Sequence, residues 1–357
     1  MRVFFDIQHL YYVPQYLPVF KKLESKGVKC EFLLYRQEDL NDVLLNYSDR
    51  HNLTYRCVND CQQARDVYLD EKPDWIIFGN AFEDIEEINK HSRTALMEHG
   101  IGPKSTYYDV SESDIKYRFV EGEHRLKRLQ ERFPLKHFIN TGYAKLDPII
   151  NQTLEKLDLL DLGLSPDKPT ILYAPTFYPS SIECLPKNFP KLLHNYNIII
   201  KPHFFSLVKK KYNAQKSAFK RWEKYENVYV ASLNEVSSLP FMDISSIIIS
   251  DASSTLFEFT ALNKPAIWCD FYKLRWSYRG ILKFRFKNRL DDDLKYFGKV
   301  AQRVTNTAEL IEQTHKHLKN PSIKERERME MTELLTGKVD GLCSQRISNF
   351  ILNENIT

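Results

Sequence analysis

The chain has 357 residues, with 51 lysines and arginines against 47 aspartates and glutamates, a formal net charge of +4, and 43% hydrophobic and 27% charged residues. This is the balance of an ordinary folded protein long enough for two domains with proper cores, without internal repeats or low-complexity tracts. No apolar run approaches the roughly 20 residues that span a bilayer. The first residues show no charged leader ahead of an apolar stretch, and the six cysteines are scattered. The expectation is a cytoplasmic protein with reduced thiols and neither a metal nor a resident cofactor.

In chain order, short apolar runs alternate with amphipathic stretches. Strands are predicted at 2–7, 29–35, 54–58, 75–78, 94–97, 117–120 and 137–140, with helices between them that include 15–25 and 122–132. Such alternation predicts a parallel sheet covered on both faces. Residues 151–167 relax into a polar connector, and the rhythm restarts with strands at 170–174, 197–201, 228–231, 247–249, 266–269 and 302–305. Helices at 307–319, 322–335 and 342–352 close the chain. The predicted class is α/β, with two doubly wound Rossmann-like domains facing a cleft. The first is placed at 1–155 and the second at 165–335, with a terminal helix within 340–357 crossing back onto the first.

Ligands of open α/β sheets collect at the carboxyl ends of the strands. Beyond Met97 come His99, two glycines that let backbone approach a ligand, and Lys104. A histidine there has a pKa suited to taking a proton from an attacking hydroxyl. Strand 170–174 runs into Pro175-Thr176, a natural place for phosphate or base contacts. Strand 197–201 ends in Lys201-Pro202-His203, two cationic candidates for neutralising a diphosphate leaving group. Each has a plain alternative: a loop-bound histidine, a simple turn, or surface charge.

The stretch 245–270 reads as a strand, a serine-rich turn at 250–254, a helix at 255–263 and a further strand. Ser253 or Ser254 is a favoured N-cap, and a helix start at the end of a parallel strand presents N–H groups that suit phosphate. One turn on, Glu258 is placed to accept hydrogen bonds from a ribose. The alternative is that the serines only cap the helix and Glu258 is solvated. Arg279 offers a planar fork for phosphate oxygens. It lies in the run 271–290, which has seven basic residues, six aromatics and no acid; a second basic run fills 209–224. The usual meaning of such runs is a solvated face, but aromatic interleaving and the place beside the serine turn favour anionic ligands or an anionic membrane surface; no nucleic-acid partner is expected, a non-enzymatic binder of nucleic acid or membrane being the rival reading. The triplet Asp291-Asp292-Asp293 is assigned no metal.

The spacing from Glu258 to Pro265 resembles the nucleotide-binding half of GT-B glycosyltransferases. More specifically, a series of motifs occurs in an order similar to that of the CDP-glycerol glycerophosphotransferase family of teichoic-acid and capsule synthesis, over about residues 94–350. These are His99-Gly100 with Lys104, Gly142-Tyr143 with Lys145 and Asp147, Tyr173-Ala174-Pro175-Thr176, Lys201-Pro202-His203, the 250–254 turn with Pro265, Asp270, Arg279-Gly280, and Asp340-Gly341 with Ser344 and Arg346. The resemblance implies a GT-B-like enzyme that moves glycerol phosphate from CDP-glycerol to a hydroxyl of a lipid-linked or polysaccharide acceptor, releasing CMP. It implies catalytic roles for His99 and His203. It places Thr176, Lys201, Asp251, Ser253, Ser254, Thr255, Glu258 and Arg279 around the donor and Lys104 on the acceptor side. A location on the inner face of the cell membrane would follow. Ala252, Phe204 and Ile281-Leu282-Lys283 depart from the family pattern and keep a related CDP-polyol open as donor. A nucleotide-sugar transferase of the same fold is the alternative activity.

Overall fold

A computed structural model describes residues 1–102, 106–274 and 295–354. The chain divides into two compact units, one formed by Met1–Ile101, Ser105–Thr153 and Glu333–Thr357, the other by Gly102–Lys104 and Leu154–Thr332. The limits differ slightly from the sequence-based ones: the return to the first unit begins at Glu333, within the predicted helix 322–335.

The first unit is built on seven parallel strands, β1 (Arg2–Ile7), β2 (Lys29–Tyr35), β3 (Tyr55–Val58), β4 (Trp75–Phe78), β5 (Arg93–Met97), β6 (Tyr117–Val120) and β7 (His137–Asn140), in the order β3-β2-β1-β4-β5-β6-β7. Helices cover both faces of a parallel sheet, so its central strands read as continuous apolar runs instead of alternating ones. Trp75, Ile76, Ile77 and Phe78 are accordingly all fully buried. The chain winds outward from β1 to β3 and then returns to pair β4 with β1, Val3 opposite Trp75. That reversal creates a crevice at the carboxyl ends of β1 and β4.

The second unit repeats the plan with β8 (Thr170–Ala174), β9 (Asn197–Ile200), β10 (Val228–Val230), β11 (Ile247–Ser250), β12 (Ala266–Cys269) and β13 (Gln302–Val304), all parallel, in the order β10-β9-β8-β11-β12-β13. One side of its core gathers Tyr173, Phe189, Trp222, Ile198, Ile200, Ile247 and Ile249. The reversal falls between β8 and β11, where Ser250 lies opposite Ala174.

Three helices depart from prediction for identifiable reasons. The first begins at Val13 instead of 15, because Pro14 sits in the first turn, where its missing N–H costs nothing. The helix predicted at 255–263 is Ser254–Thr260; Asn263 takes a left-handed backbone (φ 55°) and Lys264-Pro265 follows. The one predicted from 322 starts at Glu325, after Lys324 also turns left-handed (φ 60°). Among the described residues no helix is long and apolar enough to cross a membrane.

The chain end is fastened into the first unit by residues that the family motifs had singled out without a role. Asp147 accepts hydrogen bonds from the backbone N–H groups of Ser344 (2.6 Å) and Cys343 (3.2 Å), capping the helix Cys343–Asn353 from outside. Arg346 donates to the Thr141 carbonyl (2.8 Å) and pairs with Asp340 (2.8 Å). Asn151 donates to the Gly341 carbonyl at 2.8 Å. On the inner side, Phe350 meets Tyr117 and Trp75 edge-on, at 5.2 and 6.2 Å between centroids.

Gly122 shows how closely this segment packs. Its φ is +71°, and a Cβ there would lie 2.5 Å from the Leu334 carbonyl oxygen. Gly122→Ala should therefore destabilise the protein by on the order of 2 kcal/mol or more, from the left-handed backbone and the clash together. Thermal unfolding checks this; a melting temperature within one degree of wild type would contradict the packing described.

Candidate functional site

In the first unit the candidate chemistry sits on the carboxyl edge. β1 ends at Ile7 and runs through Gln8 and His9 into a 3-10 turn, Leu10–Tyr12, while β5 ends at Met97 and delivers Glu98 and His99. The His99 ring stacks on Tyr12 (4.8 Å, 23°), tilts against Tyr11 (4.5 Å) and meets the edge of Tyr107 (5.7 Å, 84°). Its Nδ1 lies 3.6 Å from the carboxylate of Glu98, which is almost fully buried, whereas the imidazole keeps 19% of its surface exposed. The Tyr143 hydroxyl donates to the His99 carbonyl at 2.7 Å. The Gly142-Tyr143 motif thus acts on the loop that carries the histidine.

Behind this ring lies a buried charged layer. Arg125 pairs with Glu121 and lies over the rings of Tyr107 (5.4 Å) and Tyr108 (4.9 Å). Arg118 donates to the Tyr107 carbonyl at 2.7 Å; desolvation pulls its guanidinium down to about 10, with Glu98 opposing. Burial pushes the Tyr11 hydroxyl up to about 12, so it stays neutral and acts as a hydrogen-bonding, not an ionised, neighbour. Lys104 lies outside the described residues.

In the second unit, the turn after β11 and the loop after β8 are tied by one side chain. Asp251, 3% exposed, accepts from Thr176 N (2.9 Å), Thr176 Oγ1 (3.3 Å), Ser180 Oγ (3.0 Å) and Ser181 N (3.0 Å). Burial raises its pKa to about 6 against the pull of these donors. Asp251 and Thr176, both predicted as donor ligands, are engaged here with each other, and the Thr176 hydroxyl also donates to the Pro179 carbonyl (2.6 Å). Ser180 and Ser181 were missed; nothing in their spacing marks them, because they reach Asp251 only once the β8 loop folds over.

Ser253 is the N-cap of the helix Ser254–Thr260, and its oxygen accepts from Thr255 N (3.4 Å) and Thr255 Oγ1 (3.0 Å). Ser254 stays partly exposed. The helix is seven residues long, two turns, so its dipole is modest. Glu258 is 1% exposed, flanked by buried Phe257 and Phe259. It is therefore not the solvated side chain of the plain alternative.

Lys201 and His203 follow β9, which pairs with β8. Lys201 N bonds the Tyr173 carbonyl (2.9 Å), and its side chain is partly exposed. His203 caps the helix Phe204–Val208: Nδ1 accepts from Phe205 N at 3.2 Å, which puts the ring proton on Nε2. Its ring lies 4.6 Å from Phe177, so the β8 and β9 loops meet there. The structure thus brings Thr176, Lys201, His203, Asp251, Ser253 and Thr255 to one edge of the second sheet. Arg279, Asp291 to Asp293 and most of the 271–290 run lie outside the described residues. Among the described residues no three His, Cys, Asp or Glu side chains converge as a metal-binding group. In the second basic run, Lys209, Lys210, Lys211, Lys220, Arg221 and Lys224 are exposed, while the helix Asn213–Trp222 buries Phe219 and Trp222.

Solved structures define the class first. The wall teichoic acid polymerase TagF is similar at a TM-score of 0.65 and 17% identity, over 99% of this chain and 88% of that one. A UDP-GlcNAc 2-epimerase from Neisseria meningitidis bound to UDP-GlcNAc is similar at 0.63 and 15% identity, over 99% and 100%. The fold is therefore α/β and GT-B-like. Residues 84–353 match the family described as CDP-Glycerol:Poly(glycerophosphate) glycerophosphotransferase, and the chain belongs to that family. A curated relative, the teichoic acid glycerol-phosphate primase of Bacillus subtilis (strain 168), is 25% identical over 249 residues; the alignment spans 63% of this chain and 63% of that protein's length.

The Asp251 tie is testable by pH. Its folded pKa of about 6 lies above the ordinary 3.8, so folding favours the protonated form. Its contribution is full below about pH 4 and is lost as pH rises through 6. The unfolding free-energy difference between wild type and Asp251→Asn should shrink by on the order of 2–3 kcal/mol from pH 4 to pH 7. A difference flat across that range would mean the carboxylate is ionised throughout.

Proposed function

We propose that this protein transfers glycerol phosphate, or a closely related polyol phosphate, from its CDP-activated form to a hydroxyl of a lipid-linked or polysaccharide acceptor in cell-surface polymer synthesis. The observation that carries the reading is the family match across 84–353, a span that includes both His99 and the Lys201-Pro202-His203 turn. The acceptor oxygen attacks the glycerol-bearing phosphorus, a new P–O bond forms, the pyrophosphate P–O bond breaks and CMP leaves. His99 takes the hydroxyl proton. The Glu98 carboxylate, 3.6 Å from its Nδ1, favours the imidazolium that forms. On the donor side, the Lys201 ammonium and the Nε2–H of His203 meet the negative charge that develops on the leaving CMP, joined by Arg279. Phosphoryl transfer depends mostly on such positioning and charge. No resident cofactor enters this scheme. The exposed lysines of 209–224 suit an anionic membrane face from which a lipid-linked acceptor is presented.

Incubation with radiolabelled CDP-glycerol and membrane or polysaccharide acceptors should transfer label and release CMP. His99→Ala should lower the rate by about 10²- to 10⁴-fold without abolishing CDP-glycerol binding. Undiminished transfer in both His99→Ala and His203→Ala would overturn the residue assignment. A UDP- or CMP-sugar that raises the melting temperature where CDP-glycerol does not would replace the donor.

A further inference from the structure

A second imidazole stands on the same edge of the first sheet as His99 and has no part in the reading above. His9 lies two residues beyond the end of β1, beside the β1/β4 reversal. Its ring stacks on Tyr11 (5.0 Å, 14°) and meets Tyr12 edge-on (5.6 Å, 89°). The same two tyrosines carry His99, at 4.5 and 4.8 Å. The two histidines therefore share one aromatic mount.

The hydrogen bonds around His9 fix its tautomer. Gln37 Nε2 lies 2.5 Å from the Gln8 carbonyl oxygen, which can only accept, so that atom is the amide nitrogen. The second hydrogen of the same NH₂ group faces His9 Nδ1 at 3.2 Å. Nδ1 is thereby the acceptor and the ring proton sits on Nε2. Among the described residues Nε2–H makes no hydrogen bond, and the ring is only partly buried. Burial also lowers the ring's pKa, which keeps it neutral near pH 7. The result is a single uncharged donor of fixed orientation, next to the candidate base.

We propose that His9 Nε2–H binds a non-reacting oxygen of the acceptor's terminal polyol phosphate, with Gln37 as the residue that holds the donating tautomer. This rests on the reading of His99 as the base for acceptor attack. A neutral donor fits the role: it holds an oxygen next to the nucleophile without supplying a second proton acceptor that would compete with His99. It makes His9 a specificity-determining residue for the acceptor and not for the nucleotide.

The test separates acceptor from donor. His9→Phe keeps the ring stacking and removes the donor. It should raise the acceptor KM about tenfold, the worth of one hydrogen bond, with the CDP-glycerol KM and the melting temperature unchanged. Gln37→Met should give a smaller rise, together with loss of the pure Nε2–H pattern in the ¹⁵N-histidine spectrum. Acceptor KM within twofold of wild type in His9→Phe, or both KM values rising together, would overturn the proposal. A parallel titration with sn-glycerol 3-phosphate, read on the His9 ring nitrogens, keeps the two readings apart. If wild type transfers nothing from CDP-glycerol but the His9 Nε2 signal moves on titration, the activity assignment fails and the acceptor subsite stands. If wild type transfers label and the signal stays still at saturating acceptor, the subsite fails alone.

Discussion

In each unit every strand runs the same way, and this constraint organises the rest of the structure. A parallel sheet must return each crossover to the same end, so all of its strand-to-helix loops emerge on one edge. In the first unit that edge collects Gln8, His9, Gly79, His99, Glu121 and Thr141. In the second it collects Thr176, Lys201, Asp251, Asp270 and Thr305. Residues far apart in sequence are thereby brought to one edge without any local signal requiring it. Burying the strands on both faces drives the arrangement, since a row such as Ile247, Ile248 and Ile249, all fully buried, has no solvent-facing alternative.

Polar side chains then set how the loops on those edges are held. Asp251 fastens the β8 loop to the β11 turn with four accepted hydrogen bonds. Asp6 plays a similar part beneath the first edge, taking the hydroxyls of Tyr35 and Tyr68 at 2.7 Å each, and burial raises its pKa to about 6 as well. Asp147 grips the start of the final helix, and Tyr143, four residues before it, holds the His99 carbonyl. The chain end is thereby linked to the candidate base through the 141–147 segment within one unit. A buried acceptor surrounded by donors loses far more when one partner is removed than each bond contributes singly, so such loops keep one geometry.

Much of this could be read from the sequence. The strand runs were legible because β-branched and aromatic residues cluster in them, and most of their ends fall within a residue of those expected. Helix ends were less so: Val13 and Ser254 precede the apolar spacing that announces a helix, and Lys324 turns left-handed inside what reads as a helical pattern. At the sites, the ordered motifs brought out His99, His203 and the 250–254 turn. Composition did not reveal which of those residues serve the protein itself. Thr176 and Asp251 look like ligands in a string of polar letters, yet they spend their hydrogen bonds on each other. Glu258 reads as a ribose ligand or a solvated carboxylate, yet it is buried. His9 went unremarked because its significance lies in tyrosines shared with a residue 90 positions away.

Gly79, at the end of β4, ties these features together. A Cβ added there would lie 2.5 Å from both Tyr12 Cε2 and Tyr16 Oη, although the backbone itself is ordinary. The glycine is therefore a seat cut to the shape of the tyrosine that supports both imidazoles. Among relatives, any larger residue at this position should arrive with a smaller one at 12 or 16. Such paired exchange would leave a trace of the aromatic mount in sequence records, even where the histidines themselves have changed.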